Sequence, residues 1–248
     1  MSAKVSKKSS NTGFIIALIG VVVAGGGFIW WKTQHKTVVA VEMPTIADST
    51  LAAKARGYTI GSPTAKVEIV EFGDFECPTC ERFATLQEPD IRKNFVNTGI
   101  ARFTFYDFPL TNLHPNTLVA SNTAACADDQ GKFWEMHDAL FTSQGEWDGH
   151  GGTSNPRGVI TSLARQVGLD LTKWNACMDA SSHIDRIRAN YALGVTKSVG
   201  GTPTFFVNGA EMHGNPTYDN IKAAVDAAVA PSLPIPGSAP AVPAPKVK

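Results

Sequence analysis

The period of apolar and polar positions changes several times along this chain. "KVEIVEF" (66–72) is rich in β-branched residues and largely apolar on both faces, as suits a buried strand. "ARFTFYDF" (101–108) reads the same way, with Phe103 and Phe105 on one face. Between them, residues 78–98 have a helical period. Phe83 and Leu86, then Ile91 and Phe95, share a face, and Pro89 should kink or interrupt the helix. Strand, helix, strand predicts a βαβ unit and a parallel sheet.

A helical block follows. In "GKFWEMHDALF", Phe133, Trp134, Met136, His137, Leu140 and Phe141 form one apolar stripe, which makes His137 a packed core histidine. "SNPRGVITSLARQVGLD" and "LTKWNACMDA" continue in helical style, and Ser182 with Asp185 resembles a capping box opening a helix near 183–197. The loop "DGHGGTSNPR" (148–157) has glycines but no Gly-Lys-Ser/Thr, which rejects a phosphate loop. His114, in "LTNLHPN", falls at a loop-to-helix junction and is given no role. In "TFFVNGAEMH" two β-like runs flank Asn208-Gly209, a hairpin signal. "PTYDNIKAAVDAAVA" is a last amphipathic helix with Ile221, Ala224, Val225 and Ala228 inward. Residues 32–60 lack a clear period and read as a spacer, and the Pro/Ala-rich run from Pro231 reads as an extended tail.

Before that spacer, Phe14 to Trp31 form eighteen residues without a charge. A helix of that length spans about 27 Å, close to a bilayer core. Lys4, Lys7 and Lys8 precede it and Trp30 and Trp31 close it, so an anchor is expected with its N-terminus cytoplasmic and the body exported. A cleaved signal peptide is the alternative, and it too exports the body. Net charge is zero over 248 residues, but the chain beyond residue 31 is slightly acidic, a poor match for nucleic acid. A hydrophobic content of 43% is enough for a folded core.

Export bears on the four cysteines, Cys77, Cys80, Cys126 and Cys177, because disulfides persist outside the cytoplasm. Four cysteines allow three pairings. In "EFGDFECPTCERF" (71–83), Cys77 and Cys80 stand two residues apart where a strand gives way to a helix. Cysteines at i and i+3 on a first helical turn lie within disulfide reach, and the helix N-terminus stabilises a thiolate on Cys77. Pro78 costs little there. Half a zinc site is disfavoured because Cys126 and Cys177 stand alone, with no pair of ligands nearby. A purely structural Cys77–Cys80 bridge would close too small a loop to add much stability. Glu71 lies on the strand face of Val67 and Ile69, six residues before Cys77. Buried, it would have a raised pKa and could carry the proton of Cys80; the alternative is a strand-end glutamate facing solvent. Asp74 and Glu76 flank the pair, and nearby carboxylates oppose thiolate formation.

"VEIVEFGDFECPTCERF", "AACADDQGKFWEMHDALF" and "GVTKSVGGTPTFFVNG" together resemble the DsbA-like thiol-disulfide oxidoreductases of the bacterial envelope, over roughly residues 58–230. The resemblance implies an α/β thioredoxin fold with an inserted helical domain, here preceded by a single transmembrane helix. Ahead of it the residues themselves predict a cytoplasmic N-terminus (1–12), a membrane anchor (13–31) and a linker (32–57). A thioredoxin-like domain follows in two parts, 58–112 and 199–230, around a helical insertion (113–198), with a tail at 231–248.

Cys77 would be the exposed nucleophile, Cys80 the buried resolving cysteine and Glu71 the family's acid. Thr202-Pro203 resembles the loop carrying a cis-proline that docks substrate. Cys126 and Cys177 would form a structural disulfide, as in some members. Many family oxidases have histidine where this chain has Thr79, so a strongly oxidising centre is not guaranteed. The activity implied is oxidation of reduced exported polypeptides on the periplasmic or extracytoplasmic side of the cell inner (cytoplasmic) membrane. A DsbB-like or vitamin-K-epoxide-reductase-like quinone-linked partner would reoxidise a monomeric enzyme that needs no metal or organic cofactor. The rivals are a reductase or isomerase with the same residues, and a non-catalytic peptide-binding or chaperone module.

Overall fold

The computed structural model describes residues 41–230, Ser154 excepted. The expected membrane anchor at 13–31, with the segment before it, and the Pro-rich tail at 231–248 lie outside the described residues. The chain divides at residue 42/43, and every element below belongs to the second part.

A five-stranded mixed sheet organises the fold, in the order β1-β3-β2-β4-β5. Its strands are β1 (Tyr58–Gly61), β2 (Val67–Gly73), β3 (Ala101–Asp107), β4 (Thr204–Val207) and β5 (Ala210–Glu211). Central β2 runs parallel to β3 and antiparallel to β4. The parallel pair needs a crossover. It is made by α2 (Pro78–Leu86), the short α3 (Glu88–Ile91) and a π-helical turn over Arg92–Val96. Pro89 sits in the first turn of α3, so the predicted helix breaks at Gln87, where no helical N–H is lost to the proline ring.

Strand β1 corrects the spacer reading. Tyr58 and Ile60 pair with Phe105 and Phe103 at the sheet edge. Four residues are too few for a period to show, and only the partner strand makes them β. Upstream of it, α1 (Ser49–Ala52) is capped by the Asp48 side chain.

The sheet carries apolar residues on both faces. Val67, Ile69, Phe103, Phe205 and Val207 pack against Phe83, Ile91 and Phe95, and against Ile221 and Val225 of α10 (Tyr218–Val229). Phe72, Phe108, Val199 and Phe206 form the opposite face, covered by Tyr191 and Leu193 of α9 (Ile184–Thr196). Asn208 and Gly209 both adopt positive φ, 48° and 83°, as the β4–β5 hairpin requires.

Between β3 and β4 the chain builds the helical block: α4 (Thr117–Asp128), α5 (Phe133–Thr142), α6 (Gln144–Trp147), α7 (Pro156–Gln166), α8 (Leu171–Ala180) and α9. Its core of Met136, Leu140, Trp147, Ile160 and Trp174 runs on to Phe75, Cys77 and Cys80, so block and cysteine pair share one apolar interior. Cys126 on α4 and Cys177 on α8 are joined by a disulfide. The expected capping box does not form: His183 is the residue before α9, and the Ser182 hydroxyl donates instead to the Cys177 carbonyl. Ser181, in left-handed conformation at φ 50°, ends α8 and turns Ser182 back towards that helix.

Candidate active site

Cys77 is the residue before α2 and Pro78 its first helical position, so the pair sits where helix N–H groups are free. Both cysteines carry free thiols; Cys77 is 7% exposed and Cys80 is fully buried. The Cys77 thiol donates to the Thr202 carbonyl at 3.4 Å, and the Thr202–Pro203 peptide bond is cis. The loop before β4 thereby stands against Cys77, which the fold buries rather than exposes as expected. Sequence places Thr202 far from Cys77, and the antiparallel pairing of β2 with β4 brings them together.

The two thiols differ in acidity. Cys77 is lowered to about 5, first by a hydrogen bond from the Cys80 thiol, then, against the cost of burial, by the Thr202 side chain and the N–H groups of Cys80 and Thr79. Cys80 is pushed well above the ordinary thiol range by burial, by its hydrogen bond to Cys77 and by the Glu71 charge.

Glu71 faces the core. It is 1% exposed, and its register partners are Phe105 on β3 and Phe205 on β4. Neither carboxyl oxygen has a hydrogen-bond partner. Burial raises its pKa well above the carboxylate range; Glu88 adds to this and Arg92 opposes it. Gly73 makes the space. A Cβ there would come within 2.3 Å of the Phe105 ring and 3.0 Å of Glu71 Oε1.

Asp74 and Glu76, which sequence reasoning cast as free charges opposing the thiolate, are instead buried anchors of the cysteine loop. Asp74 Oδ2 accepts from Leu110 N (2.7 Å) and meets His114 Nδ1 at 2.7 Å. Its Oδ1 accepts from Glu76 N (2.8 Å) and Thr117 Oγ1. Glu76 accepts from Asn116 N and Gly149 N, each at 2.6 Å. At Gly149 a Cβ would lie 2.2 Å from Pro115, so only glycine lets its N–H approach. Gln144 of α6 completes the frame, donating to the carbonyls of Phe75 (2.7 Å) and Cys77 (3.1 Å).

His114, Gln144, Asn116 and Gly149 were missed because their partners lie 31 to 73 residues away and no local spacing announces them. His137 is fully buried among Phe75, Phe105 and Phe141. Cys126 and Cys177 belong to the helical block, their disulfide bordered by Asp129 and His183.

A family model described as thioredoxin matches residues 54–227. The Na(+)/H(+) antiporter NhaA 1 of Salinispora arenicola is 37% identical over 175 residues, which make up 71% of this chain and 25% of that protein. The chain therefore spans about a quarter of this relative. Disulfide bond formation protein D of Bacillus subtilis is 25% identical over 167 residues, 67% of this chain and 74% of that one. A solved thioredoxin-like oxidoreductase from Silicibacter pomeroyi has a TM-score of 0.57 at 29% identity, over 73% of this chain and 96% of that one.

Proposed function

The chain belongs to the thioredoxin family, and from that premise we propose that it is a DsbA-like thiol-disulfide oxidoreductase that donates the Cys77–Cys80 disulfide to reduced exported polypeptides. The separated acidities of the two thiols carry this reading. A substrate thiolate attacks Cys77 Sγ, the Cys77–Cys80 bond breaks, and Cys80 leaves as a thiolate that takes up one proton. A second substrate thiolate then attacks the substrate sulfur of the mixed disulfide. That forms the substrate disulfide and releases Cys77, whose low pKa makes it a good leaving group. Two electrons pass from the substrate to the pair. Thr202 and Pro203 border Cys77 where the extended substrate would dock, and Glu71 exchanges the Cys80 proton.

A thiol lowered to about 5 stabilises the dithiol form at neutral pH and so favours oxidation of the substrate. A monomer anchored by residues 13–31, with its catalytic domain on the periplasmic side, would be reoxidised by a quinone-linked membrane partner of DsbB-like or vitamin-K-epoxide-reductase-like kind. Disulfide bond formation protein D carries the chemistry in its name. The segment shared with the antiporter is a quarter of that protein, so its name carries no activity over to this chain.

Equilibration of the pair with glutathione, followed by thiol alkylation, tests the direction. From the Cys77 acidity the potential should lie about 50 mV above the roughly −270 mV of thioredoxin. A value at or below thioredoxin's would make the protein a reductase. Cys77→Ser must abolish exchange with a reduced peptide; exchange that survives would refute the mechanism and favour a binding module.

A further inference from the structure

Beneath the cysteine pair, three buried titratable side chains have polar atoms without a partner: Glu71 (both oxygens), Glu88 (Oε2) and His137 (Nε2). Each orphaned group costs about 1–3 kcal/mol, so a cluster of them asks for a use. They share one region of the core, where the Glu88 charge acts on Glu71. Glu71 is paired with Phe105, whose ring is 5.3 Å from the His137 ring. His137 Nε2 lies 3.8 Å from Glu88 Oε2, a gap that a small side-chain rotation closes. On its other side, His137 Nδ1 is 2.9 Å from Asp138 Oδ1. The Asp138 side chain is 55% exposed and lines a surface cavity of about 460 Å³ with Glu88, Arg92 and Phe141.

Arg92 holds this arrangement. Its Nε donates to Glu88 Oε1 at 2.7 Å, its two terminal nitrogens donate to the two Asp138 oxygens at 3.0 Å, and one of them lies 3.3 Å from His137 Nδ1. The guanidinium also stacks over Trp134 at 4.5 Å. Glu88, His137 and Asp138 could be grouped as ligands of a metal ion, but Arg92 already supplies the positive charge among them. The charged and titratable groups facing Glu71 are Cys77 and Cys80 of the redox pair, Glu88 on α3 and Arg92 on the π-helical turn.

We propose that Glu88, His137 and Asp138 form a proton path joining Glu71, and through it Cys80, to solvent at the Arg92–Asp138 cavity rather than past Cys77. The path rests on the disulfide-exchange reading above. When the Cys77–Cys80 bond opens, Glu71 protonates the departing Cys80 thiolate and is itself reprotonated through Glu88. Imidazole then passes a proton on, releasing it at Nε2 and accepting another at Nδ1 from the Asp138 side. Only protons move along this path; the electrons come from the substrate thiolates. Reoxidation of the pair runs it in reverse. The arrangement lets the buried sulfur exchange its proton while a bound polypeptide covers Cys77.

The test is stopped-flow exchange between the full chain and a reduced dithiol peptide, in wild type, Asp138→Ala and His137→Gln. Asp138→Ala, at an exposed position, should slow the Cys80-dependent step about tenfold, less than the roughly 10²–10⁴-fold of a group that transfers the proton directly at the reacting atom. Its solvent deuterium isotope effect should grow, and added formate, which fits beside Arg92, should restore the rate. The pH titration of Cys77 should stay as in wild type. Wild-type rates in both variants overturn the path. So does a slowed Asp138→Ala that shows neither a larger isotope effect nor formate rescue, because a structural role would act that way. If His137→Gln does not fold, Asp138→Ala decides alone. Absence of exchange in the wild type refutes the disulfide-exchange reading itself, whereas wild-type exchange with unaltered variants refutes only the path.

Discussion

His114 Nδ1 lies 2.7 Å from Asp74 Oδ2, tying the loop before α4 to the cysteine loop inside the protein. The hydrogen bond to Asp74 raises the His114 pKa above its ordinary 6.5, and burial opposes it. A histidine whose pKa rises on folding contributes stability that is fully present below the unfolded value and is lost as pH rises through the folded one. His114→Ala should therefore cost about 1–2 kcal/mol below pH 6.5 and progressively less above it. Urea unfolding at several pH values checks this; a cost that does not change with pH would mean that the ring only fills space.

Titration of the Cys77 thiolate by its ultraviolet absorbance should give a midpoint near 5. The thiol of Cys80 is the largest contributor to that value. Cys80→Ala should thus raise the midpoint by about one unit or more. An unchanged midpoint would assign the acidity to Thr202 and the helix N–H groups instead.

Glu71→Leu should stabilise the protein and impair it at once. Replacing a buried carboxyl without partners by an apolar side chain removes a penalty of about 1–3 kcal/mol. The sign with pH follows from the raised pKa. Between the unfolded value and the higher folded one the native state holds the extra proton, so stability falls as pH rises through that window. The gain from Glu71→Leu should accordingly be larger at pH 8 than at pH 5. Stopped-flow should show Cys80-dependent steps slowed and Cys77 alkylation almost unaltered.

Removal of the Cys126–Cys177 bridge by a double alanine substitution should cost about 4 kcal/mol, the chain-entropy value for a loop closed over 51 residues. Denaturant unfolding measures it. The bridge ties α4 to α8 within the helical block, so the pH titration of Cys77 should stay as it is in the intact protein.

Much of the architecture is legible in local pattern. "KVEIVEF" and "ARFTFYDF" announce β2 and β3 because a strand covered on both faces must be apolar on both. Asn208-Gly209 announces the hairpin because two consecutive positive φ values suit few other pairs. β1 is not legible: four residues become a strand only when β3 supplies hydrogen bonds. Nor does the pair Ser182 and Asp185 act as its spacing suggests, since the end of α8 takes the serine hydroxyl first.

By itself the sequence determined that Cys77 and Cys80 share one helical turn at a helix start, that a carboxyl stands six residues upstream on a buried strand face, and that a Thr-Pro step precedes a late strand. These are relations between near neighbours, which backbone geometry dictates. Tertiary structure alone decided how far the thiol acidities separate. That depends on which groups are dehydrated together and which polar atoms are left to face them. The same holds for Asp74 and Glu76, which become anchors only because His114, Asn116 and Gly149 are folded against them. It holds equally for Glu71, Glu88 and His137, whose unpartnered atoms are buried because a strand, a crossover helix and an inserted helix meet in one interior.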